Sequence, residues 1–125
     1  PFYDRSHMAG SRYSLSQSEK AIHVQNLREA ELVEKLEPPY DLIKCDIEGS
    51  EWEFLNNYQN LITASKYLLL EWHSWHEGGD GLSQIEKFMH SLDFKMVRSS
   101  EPIPAIGRVG EVGLILIKNQ SYDCS

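Results

Sequence analysis

The chain has 125 residues, 41% of them hydrophobic, enough for one domain with a modest core. Its 12 Lys and Arg stand against 19 Asp and Glu, a net charge of −7, and no basic run reaches three residues. That balance argues against binding a nucleic-acid backbone or an anionic membrane surface, since both need clustered positive charge.

No apolar run is long enough to span a bilayer, no zinc-type cysteine spacing occurs, and no signal peptide opens the chain. Of the two cysteines, Cys45 is expected as a small buried hydrophobe, while Cys124 falls in a polar tail. A cytoplasmic, reducing setting is the expectation.

In chain order, residues 1–20 form a polar, Ser-rich lead-in, in which Phe2 and Tyr3 read as the end of a strand. Ala21 to Val24 reads as an edge strand. Asn26 is a candidate N-cap with Glu29 in the box position. Leu27, Ala30, Val33 and Leu36 then mark one face of a short helix, which Pro38-Pro39 stops.

Tyr40 to Ile47 reads as a strand apolar on both faces, as in a sheet covered on both sides. Gly49 makes a turn and Ser50 can cap the next helix, with Glu53 closing the box. That helix carries Trp52, Leu55, Tyr58, Leu61 and Ile62 at helical spacing. Lys66 to His73 is an interior strand, followed by a Gly-rich loop from Trp75 to Gly81. Ser83 to Leu92 reads as a helix with Ile85, Phe88, Met89 and Leu92 inward. Phe94 to Val97 starts a strand, 99–110 reads as a loop, and Glu111 to Lys118 is the last strand. The helix-free link between these two strands predicts an antiparallel pair, and 119–125 forms a tail. Alternating strands and helices define an α/β layer protein with a mostly parallel sheet.

The chemistry-bearing residues cluster at two strand ends. Lys44 and Asp46 share one face of their strand, with Glu48 just beyond, and Glu71 and His73 share a face of the next. In an open α/β sheet the ligand crevice lies outside the C-terminal strand ends. If the two strands are parallel neighbours, both sets converge there. Each residue also has a plainer reading. Asp46 can accept backbone amides of the turn, Lys44 can simply pair with Asp46, and Glu51 and Glu53 suit a solvated helix start. His73 is a candidate base near neutral pH or a metal ligand, and His76 a second choice. Trp72 and Trp75 are expected to pack, with a substrate wall as the alternative. Carboxylates and a histidine so placed suit deprotonation of a hydroxyl or metal-assisted hydrolysis, and spacing alone does not separate the two. A dinucleotide fingerprint, a P-loop and a GxSxG elbow are all lacking from the sequence.

The segment Asp41 to Leu55, DLIKCDIEGSEWEFL, resembles the hallmark of the FkbM-like methyltransferases, a Lys-x-Asp-x-Glu-Gly-x-Glu pattern after an apolar strand. Lys44, Asp46, Glu48, Gly49 and Glu51 match it, and Glu71 and His73 match the Glu-x-His that closes the family's following strand. The likeness runs from about Ala21 to Lys118. It implies a class I, Rossmann-like fold with a reversed last strand, of which this chain would be the C-terminal half, lacking the first strands and their Gly-rich cofactor loop. It also implies S-adenosylmethionine as cofactor and a small-molecule or sugar hydroxyl as acceptor. The rest of the domain, N-terminal to this chain, would be the partner. By carry-over Asp46 adjoins the transferred methyl group and is the cofactor-contacting residue. Glu48, Glu71 and His73 line the acceptor side, with Lys44 beside them. A divalent metal is not expected; Asp46, Glu71 and His73 would be its ligands. The rival readings are a metal-dependent hydrolase of phosphate or sugar esters and a non-catalytic interaction module.

Overall fold

The computed structural model describes residues 27–74, 81–107 and 109–122, together with the backbone of Phe2–Tyr3 and Ala21–Ile22. Those two pairs are β1 and β2, an antiparallel two-stranded ribbon with Phe2 opposite Ile22. Then follow α1 (Glu29–Lys35), β3 (Tyr40–Cys45), α2 (Glu51–Asn57), α3 (Gln59–Thr63), β4 (Ser65–His73), α4 (Gly81–Ser91), β5 (Phe94–Ser99), β6 (Ile103–Pro104) and β7 (Glu111–Asn119). A 3-10 turn, Gln120–Tyr122, closes the described chain.

The main sheet has the order β3-β4-β7-β5, with β6 also paired to β7. Strands β3 and β4 are parallel, with Leu42 opposite Tyr67 and Cys45 opposite Leu70. β7 is antiparallel to β4, β5 and β6, so it alone runs against the rest. The expected antiparallel closure is present, with β7 inserted between β4 and β5.

Register sorts the strand residues onto two faces. Ile43 and Cys45, Leu68, Leu70 and Trp72, and Ile115 and Ile117 share one face. They form a single core with Leu55 of α2, Ile62 of α3, and Ile85 and Met89 of α4. Burial of these side chains is worth roughly 1.5–3 kcal/mol each. The other face departs from the expectation of cover on both sides: Leu42 is 53% and Leu114 40% exposed. Among the described residues β3 is also an edge strand of the sheet.

The helix expected after Gly49 is two short helices meeting at Tyr58, which caps one and starts the other. Helix α1 begins after Arg28, whose backbone N–H donates to Glu31 Oε2 at 2.7 Å; the predicted N-cap, Asn26, lies outside the described residues. Glu29, placed by the sequence in that box, instead accepts the Leu61 N–H (2.8 Å) and the Asn60 side-chain amide (2.9 Å), and so caps α3. At the far end, buried Asn119 donates to Thr63 O and Ser65 O at 2.9 and 3.0 Å, fastening the end of β7 to the start of β4.

Candidate active site

The site begins in the turn after β3. Glu48 and Gly49 both take positive φ, 53° and 98°. The second is glycine territory; the first is uncommon for a side chain with a Cβ. The two together swing the chain from the strand end into α2. Ser50 stands at the N-cap position as expected, without a side-chain cap bond. Glu51, the first helical residue, folds back instead. Its Oε1 accepts the Gly49 N–H at 2.8 Å and meets Nδ1 of His73 at 2.8 Å.

That contact corrects the sequence reading of Glu51 as a solvated helix-start charge. Its side chain is 3% exposed and that of His73 2%. A carboxylate so buried is strongly unfavourable unless paired and hydrogen-bonded. His73 and the turn amide together meet that requirement.

His73 is the last residue of β4. Its Nε2 faces Oε1 of half-buried Glu71 at 3.5 Å. Exposed Glu48, half-buried Glu71 and buried His73 each offer a ligand atom within 4.8 Å of the others. Asp46 pairs with exposed Lys44, Nζ to Oδ2 3.4 Å, and its charge also acts on Glu71. The trio is the set that the resemblance assigned to the acceptor side, whereas the metal ligands it offered had Asp46 in the place of Glu48. Its spacing suits hydrogen bonds to a hydroxyl or the coordination of a small cation.

The charges act on one another. Burial pushes the Glu71 carboxyl up, and the charges of Asp46 and Glu48 add to this, against the opposing pull of His73 and Lys44. Burial alone would lower His73, but the Glu51 hydrogen bond and charge, with those of Glu48 and Glu71, outweigh it, and its net direction is upward. Burial drives the Cys45 thiol up to about 12, helped by Glu51 and Asp46, so this cysteine is no nucleophile.

The two strand ends suggested by the sequence do meet, because β3 and β4 are parallel neighbours. Trp72 points to the opposite face and is buried in the core, not lining the crevice. Trp75 and His76 lie outside the described residues, as does the loop up to Asp80. The residue that sequence reasoning passed over is Glu51. Its signal was its place as the last acid of the Lys-x-Asp-x-Glu-Gly-x-Glu pattern, two positions after the turn glycine.

Strand ends presenting acids and a histidine beside a reversed strand are what the comparisons address. The family model described as the methyltransferase FkbM domain matches residues 1–96. The chain belongs to that methyltransferase family. The match starts upstream of the likeness read from the sequence and stops three residues into β5, short of β6 and β7. No curated protein and no solved structure matches the chain.

Proposed function

We propose that this chain carries the acceptor side of an S-adenosylmethionine-dependent O-methyltransferase, acting on a hydroxyl of a small molecule or sugar. The observation that carries the reading is the meeting of Glu48, Glu71 and His73 at the C-terminal ends of two parallel strands. The family supports methyl transfer. The order β3-β4-β7-β5 with β7 reversed fits the C-terminal half of the class I methyltransferase sheet.

S-adenosylmethionine supplies an electrophilic methyl group on a positively charged sulfonium. The crevice suits that charge, since the acids Asp46, Glu48 and Glu71 stand about it against His73 and then Lys44 as the cations acting on Glu71. In this reading Asp46 is the residue that contacts the cofactor beside the methyl group, as the family pattern implies. Adenosine needs a glycine-rich loop after a strand, and the described residues offer none. We assign that part to a segment N-terminal to β3, docking on the exposed β3 edge where Leu42 is uncovered.

In this reading Glu48 and Glu71 orient the acceptor hydroxyl by hydrogen bonds, and His73 takes its proton. Holding the oxygen in line with the methyl group is mostly a positioning task, and a base placed within hydrogen-bond reach supplies the rest. Among the described residues no helix is long and apolar enough to cross a membrane. A buried free thiol at Cys45 goes with a cytoplasmic setting.

Calorimetry tests the reading: S-adenosylmethionine is titrated into this chain and into a form extended upstream by about 100 native residues, a typical span for half a domain. Binding by the extended form alone is the expected result. Binding by neither form sinks the methyltransferase reading, and activity that depends on Mg or Mn without S-adenosylmethionine would replace it with a hydrolase.

A further inference from the structure

We propose that Glu51 is the positioning residue of this site: its carboxylate holds the Nδ1–H of His73, and so turns the Nε2 lone pair toward the crevice lined by Glu48 and Glu71. The proposal rests on the methyltransferase reading above, and adds to it a residue that acts through His73.

The geometry carries it. Oε1 of Glu51 lies 2.8 Å from both the Gly49 nitrogen and His73 Nδ1. The Gly49 amide can only donate, so this oxygen is an acceptor toward it, and a donor on the His73 side completes the same role. Nδ1 therefore supplies the hydrogen. In a neutral imidazole the other nitrogen is then the acceptor. That nitrogen lies 3.5 Å from Glu71 Oε1, on the crevice side, a contact that becomes an ion pair once Nε2 takes up a proton.

A purely structural role for Glu51 is the alternative. Anchoring the turn needs only the Gly49 bond, and a buried carboxylate is an expensive group for that purpose. The same oxygen also ties the turn bearing Glu48 to the end of β4, which bears Glu71 and His73. Glu51 thus sets the distance between the acceptor-side residues as well as the tautomer.

The step it serves balances. The acceptor hydroxyl gives its proton to Nε2, its oxygen forms a bond to the methyl carbon, the carbon–sulfur bond breaks, and that electron pair stays on sulfur. The new imidazolium then lies between Glu51 and Glu71, and half-buried Glu71 is the route by which the proton leaves. The charged groups that act on His73 include Glu51 from α2, Glu48 from the turn and Glu71 from its own strand.

The test is the tautomer of His73, read by long-range proton–nitrogen correlation on the 15N-labelled chain. The resonance is assigned by its loss in His73→Gln. Wild type at alkaline pH is expected to carry the proton on Nδ1. Glu51→Gln, which keeps the shape and an accepting oxygen, is expected to keep that tautomer while imidazole proton affinity falls at least about tenfold, one pH unit. Glu51→Ala is expected to lose the tautomer preference, with circular dichroism reporting whether the fold persists. A wild-type proton on Nε2, or an unchanged affinity in Glu51→Gln, overturns the proposal even if Glu51→Ala fails to fold. Failure of the methyltransferase reading is separate: it appears as an extended chain that binds no S-adenosylmethionine while His73 keeps the expected tautomer, and it removes the reaction from the pair.

Discussion

The indole of Trp72 lies directly over Gly113, its partner across β4 and β7. A Cβ built on Gly113 would stand 2.8 Å from the indole Nε1 and 2.9 Å from two ring carbons. Trp72 is 2% exposed, so the ring has no open space to move into. Gly113→Ala is therefore expected to cost about 1–3 kcal/mol, the usual range for overpacking a core. Urea denaturation should give a lower midpoint with an unchanged slope. A midpoint at the wild-type value would mean that the ring can shift after all.

Glu71 illustrates a site residue that works against the fold. Its folded pKa is raised above the ordinary 4.5, chiefly by burial and then by Asp46. The folded state thus holds the proton to higher pH, so stability falls as pH rises from 4.5 through the folded pKa. Glu71→Gln removes that loss. Its melting temperature should exceed wild type at pH 7.5, on the order of 1–3 °C, and the gap should close toward pH 4.5. Thermal scans at the two pH values decide it, and a variant less stable at pH 7.5 counts against the cause given.

His73 pulls stability in the same direction. Its folded pKa lies above the ordinary 6.5, so its contribution is full below pH 6.5 and fades as pH rises through the folded value. Wild-type stability to urea should decline over that interval. A flat or rising profile above pH 6.5 would contradict the dominance of the surrounding carboxylates over burial.

Cys45 is buried, and its thiol is pushed up to about 12. In a Cys124→Ser chain, N-ethylmaleimide at pH 8 should leave the folded protein unmodified and label it fully in denaturant. Prompt labelling of the native chain would show that the strand end opens easily.

Glu29 reaches from α1 to cap α3 through the Leu61 amide. Glu29→Ala should cost about 1 kcal/mol, the common value for a lost helix cap. Faster hydrogen exchange at Leu61 would locate the loss there, and unaltered exchange would contradict the cap.

Much of this architecture was legible in the sequence because its long elements carry strong patterns. Ser65–His73 is centred on the apolar run Leu68–Leu70, and Gly81–Ser91 places Ile85 and Met89 one turn apart. Cooperation between distant residues was harder to see. Glu51 stood out as the last acid of the hallmark pattern, but its role was hidden until His73, 22 positions on, comes beside it. The break at Tyr58 was hidden because the apolar spacing continues across it. Exposure of Leu42 depends on which strand lies next to β3, which strand composition does not specify. The two residues of β6 are too few to carry a period.

The insertion of β7 also sets the order in which the sheet is assembled. β5 pairs only with β7 among the described strands, and β4 needs it on the side away from β3. A chain leaving the ribosome can join β3 to β4 early, but β5 has no seat in the sheet until residues 111–119 emerge and slot between strands already made. Such late, long-range closure slows folding and leaves two strand edges bare meanwhile. Because Glu71 and His73 stand on β4, they meet the turn after β3 as soon as those two strands pair, so a half-made chain already holds the trio while its sheet is still open on one side.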